Sequence, residues 1–330
     1  MKICVDTGYS EVKAVTQASD KLATLAFPST FGEATVAENF LRQDNDEFIA
    51  EVAGKRYNIG ETAIERNSGG VTTLDKNLFV KEYNPILTLA AIARLIAKHN
   101  LPMPTTLVVG LPIAFYNQQK AMMEAQFKGR HAISLFNLAG QKTQSYQLNI
   151  STVHVLPQGY MAFLSKAIDN EGKAVPEFMR GMVTVVDGGG KTIDITRVQN
   201  GNMLPNSTSI PTGLDDIYRA IQDECYARYD ECPERPQIEY QIAKNELYRM
   251  QNGEDVDFKT LRQQHLQAHK SEILARLRQA IGQQRVGRLL VCGGSGNILF
   301  DLIKESYEGA EPLTPSIFAN AIGGLKFANR

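Results

Sequence analysis

Two short stretches of the chain carry the same device. Lys2 to Gln17 reads KICVDTGYSEVKAVTQ, and Val183 to Gln199 reads VTVVDGGGKTIDITRVQ. Val5-Asp6-x-Gly8 falls on Val186-Asp187-x-Gly189, and Val12 falls on Ile193. Each unit is an apolar run ending in Asp, a turn of small residues and a returning run, the pattern of strand, tight turn and strand. One Asp-x-Gly turn is commonplace. Two, about 180 residues apart in a chain of 330, mean that each half begins in the same way. That repetition predicts a fold built from two related halves.

The GGGKT of the second copy invites comparison with a phosphate-binding P-loop, which needs G-x-x-x-x-G-K-[ST] between a strand and a helix. Gly190-Lys191-Thr192 fits the end of that pattern, but its first glycine would have to be Val185. The residues that follow, Ile193 to Val198, alternate and are β-branched, so they read as a strand and not a helix. The stretch is a hairpin.

Outside the hairpins the halves agree further. Phe27 to Lys81 is a variable stretch with short strand-like pieces such as Phe48 to Val52. Pro85 to Asn100 carries a helical apolar stripe at Ile86, Leu89, Ala93 and Ile96, and feeds the buried strand run Thr105 to Pro112. Residues 116–128 read as helix and 131–150 as hairpin strands; Val153 to Leu156 leads into a helix from Gln158 to Ile168. In the second half an amphipathic helix runs from Leu214 to about Tyr229, then a polar helical region from Ile238 to Gly282. A strand from Arg288 to Cys292, a helix from Ile298 to Glu305 and a closing segment from Pro312 to Ala328 complete the chain. Strands with intervening helices imply a sheet covered on both faces, once per half, hence two α/β lobes with a cleft between them.

Composition narrows the class. The chain is 43% apolar and 22% charged with a formal net charge of −1, which disfavours a dedicated nucleic-acid surface. No run approaches the roughly 18 apolar residues of a membrane helix and the start reads directly as a strand, so neither a membrane span nor a signal peptide is expected. Cys4 and Cys292 lie in apolar strand runs as small buried hydrophobes. Cys225 and Cys232 are expected as a reduced pair, placing the protein in the cytoplasm.

Two glycine turns facing one another across a cleft make a clamp. Gly8, Gly189 and Gly190 let backbone N–H groups approach a polyphosphate, and Asp6 and Asp187 at the strand ends can hold Mg2+ through its waters beside the phosphates. Lys13 offers positive charge and Thr192 a hydroxyl or backbone donor. Leu290 to Asn297 reads as a strand ending in a glycine-rich turn, suited to a flat base or sugar packed on bare backbone; it is not a complete G-x-G-x-x-G.

Five elements in order resemble the actin/Hsp70/sugar-kinase ATPase superfamily: D-T-G-Y-S-E-V-K at 6–13, L-P-Q-G-Y at 156–160, D-G-G-G-K-T-I-D at 187–194, G-G-S-G-N at 293–297 and A-N-A-I-G-G-L at 319–325. In that family's terms they are similar to phosphate 1, connect 1, phosphate 2, the adenosine motif and connect 2. Length, spacing and the V-x-G-L-P stretch at 108–112 are most similar to bacterial plasmid-segregation actin homologues of the ParM/StbA type. The resemblance implies a two-lobed, ribonuclease H-like duplicated fold with a nucleotide cleft between the lobes. One domain would span 1–170 plus 312–330, the other 171–311. It implies ATP or GTP with Mg2+ as ligands and Asp6, Asp187 and Gln158 at the reaction centre. Thr7, Gly8, Tyr9, Lys13, Gly188, Gly189, Gly190, Lys191, Thr192, Gly213, Gly293, Gly294, Ser295, Gly296 and Asn297 would line the nucleotide. Gln158 stands where relatives carry a Gln or Glu that orients the hydrolytic water; a Gln is no strong base, which implies slow hydrolysis by positioning. Lys191 either touches phosphate or points at solvent.

The resemblance also implies self-assembly into filaments and an adaptor protein bound to centromere-like DNA, without direct DNA binding or membrane attachment. Two other readings share the fold. A small-molecule kinase needs a base for its acceptor hydroxyl, and the region after Leu156 offers Gln158 instead, with Asp169 a helix-length away. A division- or pilus-type scaffold would want an inserted subdomain or membrane-targeting tail, and Gly324 to Arg330 is short for an amphipathic anchor. His265 and His269, four apart, have no third metal ligand in view and read as part of a solvated helix from Leu261 to Arg278.

Overall fold

The computed structural model describes residues 1–34, 48–66, 82–137, 140–210, 214–282 and 286–330. Both Asp-ended stretches form antiparallel hairpins, Lys2–Thr7 with Glu11–Ala18 and Met182–Gly188 with Ile193–Gln199. In the first lobe a third antiparallel strand, Lys21–Pro28, follows on the outer side of the hairpin. Two parallel strands, Thr106–Leu111 and Thr152–Pro157, add on the other side of Lys2–Thr7. The second lobe repeats this plan. Asn202–Met203 pairs outside Ile193–Gln199, and Arg288–Cys292 and Ala310–Pro312 add in parallel beside Met182–Gly188. Two sheets with one topology make the fold two-lobed and duplicated.

Each first strand is buried almost end to end, as strands covered on both faces should be. Helix Asn84–His99 covers one face of the first sheet and helix Ala319–Ala328 the other, while helices Gly294–Ser306 and Tyr160–Ala167 flank Met182–Gly188. In Asn84–His99 the side chains of Leu87, Ile92 and Leu95 are fully buried, each worth about 1.5–3 kcal/mol of transfer free energy. Helices Tyr160–Ala167 and Ala319–Ala328 pack tightly on one another in the middle of the molecule. A Cβ on Gly323 would stand 1.7 Å from the Met161 carbonyl oxygen, and one on Gly324 2.5 Å from the Cys4 sulfur. The G-G of A-N-A-I-G-G-L is therefore a packing requirement.

A side sheet in the order Phe31–Glu33, Lys55–Ile59, Ile49–Val52, Gly129–Phe136, Lys142–Ile150 extends the first lobe. The polar region read over 238–282 resolves into helices Arg235–Lys244, Phe258–Ala268 and Lys270–Ile281, with a small hairpin between the first two. The helix expected over 261–278 is broken at His269, and His265 is not simply solvated: its Nε2 lies 2.9 Å from Glu224. The glycine-rich turn at 293–297 is also shorter than its composition suggests, because the helix begins at Gly294, not Ile298. All four cysteines are free. Among the described residues no helix is long and apolar enough to cross a membrane.

Candidate functional site

The two hairpins and the connecting elements meet at a cleft of about 420 Å3 between the lobes. Asp6 and Asp187 end their strands at its floor, only 4% and 8% exposed. Two amide side chains tie them together. Gln158 donates from Nε2 to Asp6 Oδ1 at 2.7 Å, and Asn320 donates from Nδ2 to Asp187 Oδ2 at 2.7 Å. The Asn320 carbonyl oxygen accepts from the Gly159 amide at 3.0 Å, so a continuous polar strap runs Asp6, Gln158-Gly159, Asn320, Asp187. Gly159 has φ +75°, and a Cβ there would stand 2.1 Å from the Thr196 hydroxyl of the second hairpin, so only glycine fits this crossing.

The turns close in the same way. The Gly8 amide donates to the Glu11 carbonyl at 3.0 Å and the Gly189 amide to the Thr192 carbonyl at 2.9 Å. These two amides close their own turns, which present the backbone of residues 9–10 and 190–191 at the tips. Tyr9, Lys13, Gly188, Gly190, Lys191, Thr192, Gly293, Gly294 and Ser295 line the cleft with Gly8, Gly189 and Gln158. Lys191 lines the cleft, and its Nζ sits 5.3 Å over the Tyr9 ring, joining the two tips. Ser295 Oγ donates to the Gly189 carbonyl at 2.6 Å.

Three expected residues stand elsewhere. Thr7 turns its hydroxyl away, 2.9 Å from that of Thr88 on helix Asn84–His99, because consecutive strand residues face opposite sides. Gly296 is buried beneath the second hairpin, where its amide would stand 2.4 Å from a Cβ on Gly188, and Asn297 faces solvent one residue further around the helix. Gly213 lies outside the described residues.

The floor gathers buried carboxyl groups. Asp187 is pushed up to about 6 by burial, with the Asn320 hydrogen bond opposing and the Asp6 charge adding. Asp194, opposite Asp187 in the hairpin, is pushed up to about 7 by burial, against the hydrogen bond from Ser209 and with the Asp187 charge adding. Lys13 lies at the same floor, its ammonium 3.4 Å from Glu11 and 3.2 Å from the Glu11 carbonyl. Three buried carboxylates against one lysine suit a hard divalent ion with oxygen ligands. Among the described residues no group of three or more acidic, His or Cys side chains converges on one metal position. A cation here would therefore share its oxygens between Asp6, Asp187, water and a bound anion, the arrangement Mg2+ favours.

Away from the carboxylates the cleft turns apolar, walled by Leu214, Tyr218, Ile242, Ala243 and Ile298 with Arg262 at its edge. Sequence reading missed this wall, and also Asn320, Asp194, Glu11 and Ser10. Asn320 and Asp194 stand inside quoted motifs, where only their small or turn-forming neighbours carried a signal; Tyr218 and Arg262 carried none.

Paired sheets of one topology, each aiming an Asp-ended hairpin into a shared cleft, define a two-lobed actin-type protein. Family profiles agree along the chain: the N-terminal domain of actin-like proteins matches residues 4–160, and the C-terminal domain of archaeal MreB-like actin homologues matches 185–305. The chain belongs to the actin-like superfamily. No curated protein sequence matches it. Among solved structures it is similar to the archaeal actin homologue Ta0583, at 20% identity and TM-score 0.76 over 99% of both chains. The ADP complex of that homologue gives 18% and 0.72 over 99% of both. A 15-stranded ParM filament from Clostridium botulinum gives 20% and 0.76 over 99% of this chain and 98% of its own.

Proposed function

We propose that the chain binds a purine nucleoside triphosphate with Mg2+ in the cleft, assembles with copies of itself into filaments, and loosens those filaments by slow hydrolysis. The observation that carries this reading is the strap from Asp6 through Gln158 and Asn320 to Asp187, which joins the two turns into one centre. Phosphates would lie against the turn tips at 9–10 and 190–191, with Lys13 and Lys191 supplying charge. The base would pack on the Tyr218, Ile242 and Ile298 wall. Mg2+ held by Asp6 and Asp187 through water would neutralise charge on the phosphates. Gln158, anchored on Asp6, would orient the attacking water by its amide rather than remove a proton from it.

The same reading takes residues 1–170 with 312–330 as one domain and 171–311 as the other. Its cellular counterpart is segregation of plasmid DNA in the cytoplasm through an adaptor bound to centromere-like sites; likeness to a ParM filament supports this role. Right-angle light scattering after addition of Mg-ATP or Mg-GTP, with released phosphate followed in parallel, tests the whole. A nucleotide-dependent rise that decays as phosphate appears is expected. Flat scattering without phosphate would favour a scaffold, and turnover only on addition of a metabolite would make the protein a kinase.

A further inference from the structure

We propose that Arg235 is a positioning residue that clasps the two lobes across the mouth of the cleft and thereby sets how fast nucleotide leaves; the proposal rests on the nucleotide-binding reading above. Arg235 opens helix Arg235–Lys244, whose start is held by a capping box between Glu234 and Gln237, which fixes the backbone from which its side chain departs. The guanidinium does not line the nucleotide cleft. It is 19% exposed and reaches in four directions. It donates to Asp215 Oδ1 at 2.7 Å and to Glu239 Oε1 at 3.0 and 2.9 Å, which anchors it within the second lobe. It donates to the Gly190 carbonyl at 2.8 Å, on the tip of the second hairpin. It lies 3.4 Å from Ser10 Oγ, on the tip of the first hairpin and in the other lobe. Its plane also rests 4.6 Å over the Tyr218 ring, part of the base wall.

One side chain therefore touches the base wall, one phosphate turn and the opposite lobe. Only a planar fork of several N–H donors does this, so lysine is not an equivalent. The tips are already in contact at this point: a Cβ on Gly190 would stand 2.0 Å from Ser10 Oγ. The helix makes two further bonds to the first lobe. Ser10 Oγ donates to Glu239 at 3.4 Å, and one residue on, the Tyr240 hydroxyl donates to Glu65. Beyond them lies a second cavity of about 510 Å3, walled by Phe27, Pro28, Arg219 and Pro236, which shares Ser10 and Glu239 with the cleft. A ligand leaving on that side must part the clasp.

Stopped-flow release of a fluorescent methylanthraniloyl ATP, loaded with Mg2+ on the full chain and chased with unlabelled ATP, tests this. Arg235→Ala should release about 10-fold faster, in the range expected for losing hydrogen bonds to charged groups, and Arg235→Lys should stay close to Ala. Tyr240→Phe should release about 3-fold faster, as for loss of one hydrogen bond, with an unchanged melting temperature. Single-turnover hydrolysis at saturating nucleotide should change less than release does. Release at the wild-type rate in both Arg235→Ala and Tyr240→Phe overturns the clasp; should Arg235→Ala not fold, Tyr240→Phe and Ser10→Ala decide. If the wild type takes up no nucleotide, the nucleotide reading itself has failed. Amide hydrogen exchange without nucleotide then judges the clasp: faster exchange over 188–192 and 235–244 in Arg235→Ala supports it, and unchanged exchange overturns it.

Discussion

The two hairpins share register and turn geometry yet differ at two paired positions, and the difference explains how the lobes divide their work. In the first, Asp6 pairs with Lys13 and Thr7 with Val12; in the second, Asp187 pairs with Asp194 and Gly188 with Ile193. Lys13 thus stands where Asp194 stands, and Thr7 where Gly188 stands. The first hairpin sets a lysine at the register position opposite its Asp, with the ammonium paired to Glu11. The second carries two carboxylates that burial drives toward protonation, and it leans on Asn320, Ser209 and charge from across the cleft. At the other position Thr7 binds helix Asn84–His99 through its hydroxyl, whereas Gly188 lets helix Gly294–Ser306 dock backbone to backbone. One motif has been used once with a lysine opposite its Asp and once, more closely packed, with a second carboxyl there.

Exchanging the residues at these positions is the sharpest way to break the comparison. Gly188→Thr, which installs the first hairpin's residue in the second, drives a Cβ to 2.4 Å from the Gly296 amide, and helix backbone cannot yield as a side chain can. A loss of at least about 3 kcal/mol in urea unfolding, or no folded protein, is expected. Next in size, Gln158→Ala cuts the link to Asp6 and should slow single-turnover phosphate release about 100-fold with little change in nucleotide affinity, the scale of rate lost when a reactant is no longer held in place. An equal loss of affinity would show that Gln158 only braces the floor.

Asp194→Asn tests the charge half of the comparison. Asp187 and Asp194 titrate near 6 and 7 in the folded chain against about 3.9 unfolded, so between about pH 4 and 7 the folded state holds protons that the unfolded state has released. Stability of the nucleotide-free protein therefore falls as the pH rises through that window. Asp194→Asn should raise stability at pH 8 by about 1–3 kcal/mol, a gain that fades as the pH drops toward 4. A pH-independent gain would mean that Asp194 is not the group titrating. The smallest effect is the reverse exchange, Thr7→Gly, which loses one hydrogen bond and adds strand entropy at a cost of about 1–2 kcal/mol in the same unfolding assay, leaving nucleotide release unaltered.

Legibility in the sequence followed the range of the interactions. The hairpins were readable because alternation, the Asp-x-Gly turn and the spacing of Gly8 and Gly189 act within a few residues. The helix from Leu214 to Tyr229 was readable from its apolar stripe alone. The start of the helix at Gly294 was not, since glycine propensity argues for a turn and the contact of Gly296 with Gly188 overrides it. Asn320 bonds a residue 133 positions away and Arg235 one 225 away, and neither has a local pattern that announces its partner. Thr7 was misplaced for a simpler reason: it borders Asp6 and Gly8, and adjacency along a strand sends neighbours to opposite faces.

By itself, then, the chain's order of residues determined that there are two like halves and that each begins with an Asp-ended glycine hairpin. These are matters of local backbone preference and repetition. Only the tertiary structure decided which carboxylates share a floor, that Asn320 and Gln158 strap them together, and that Arg235 spans both turns. Those outcomes depend on burial and on distances between elements far apart in the chain, where a few ångströms of packing separate a solvated charge from one that must find a partner.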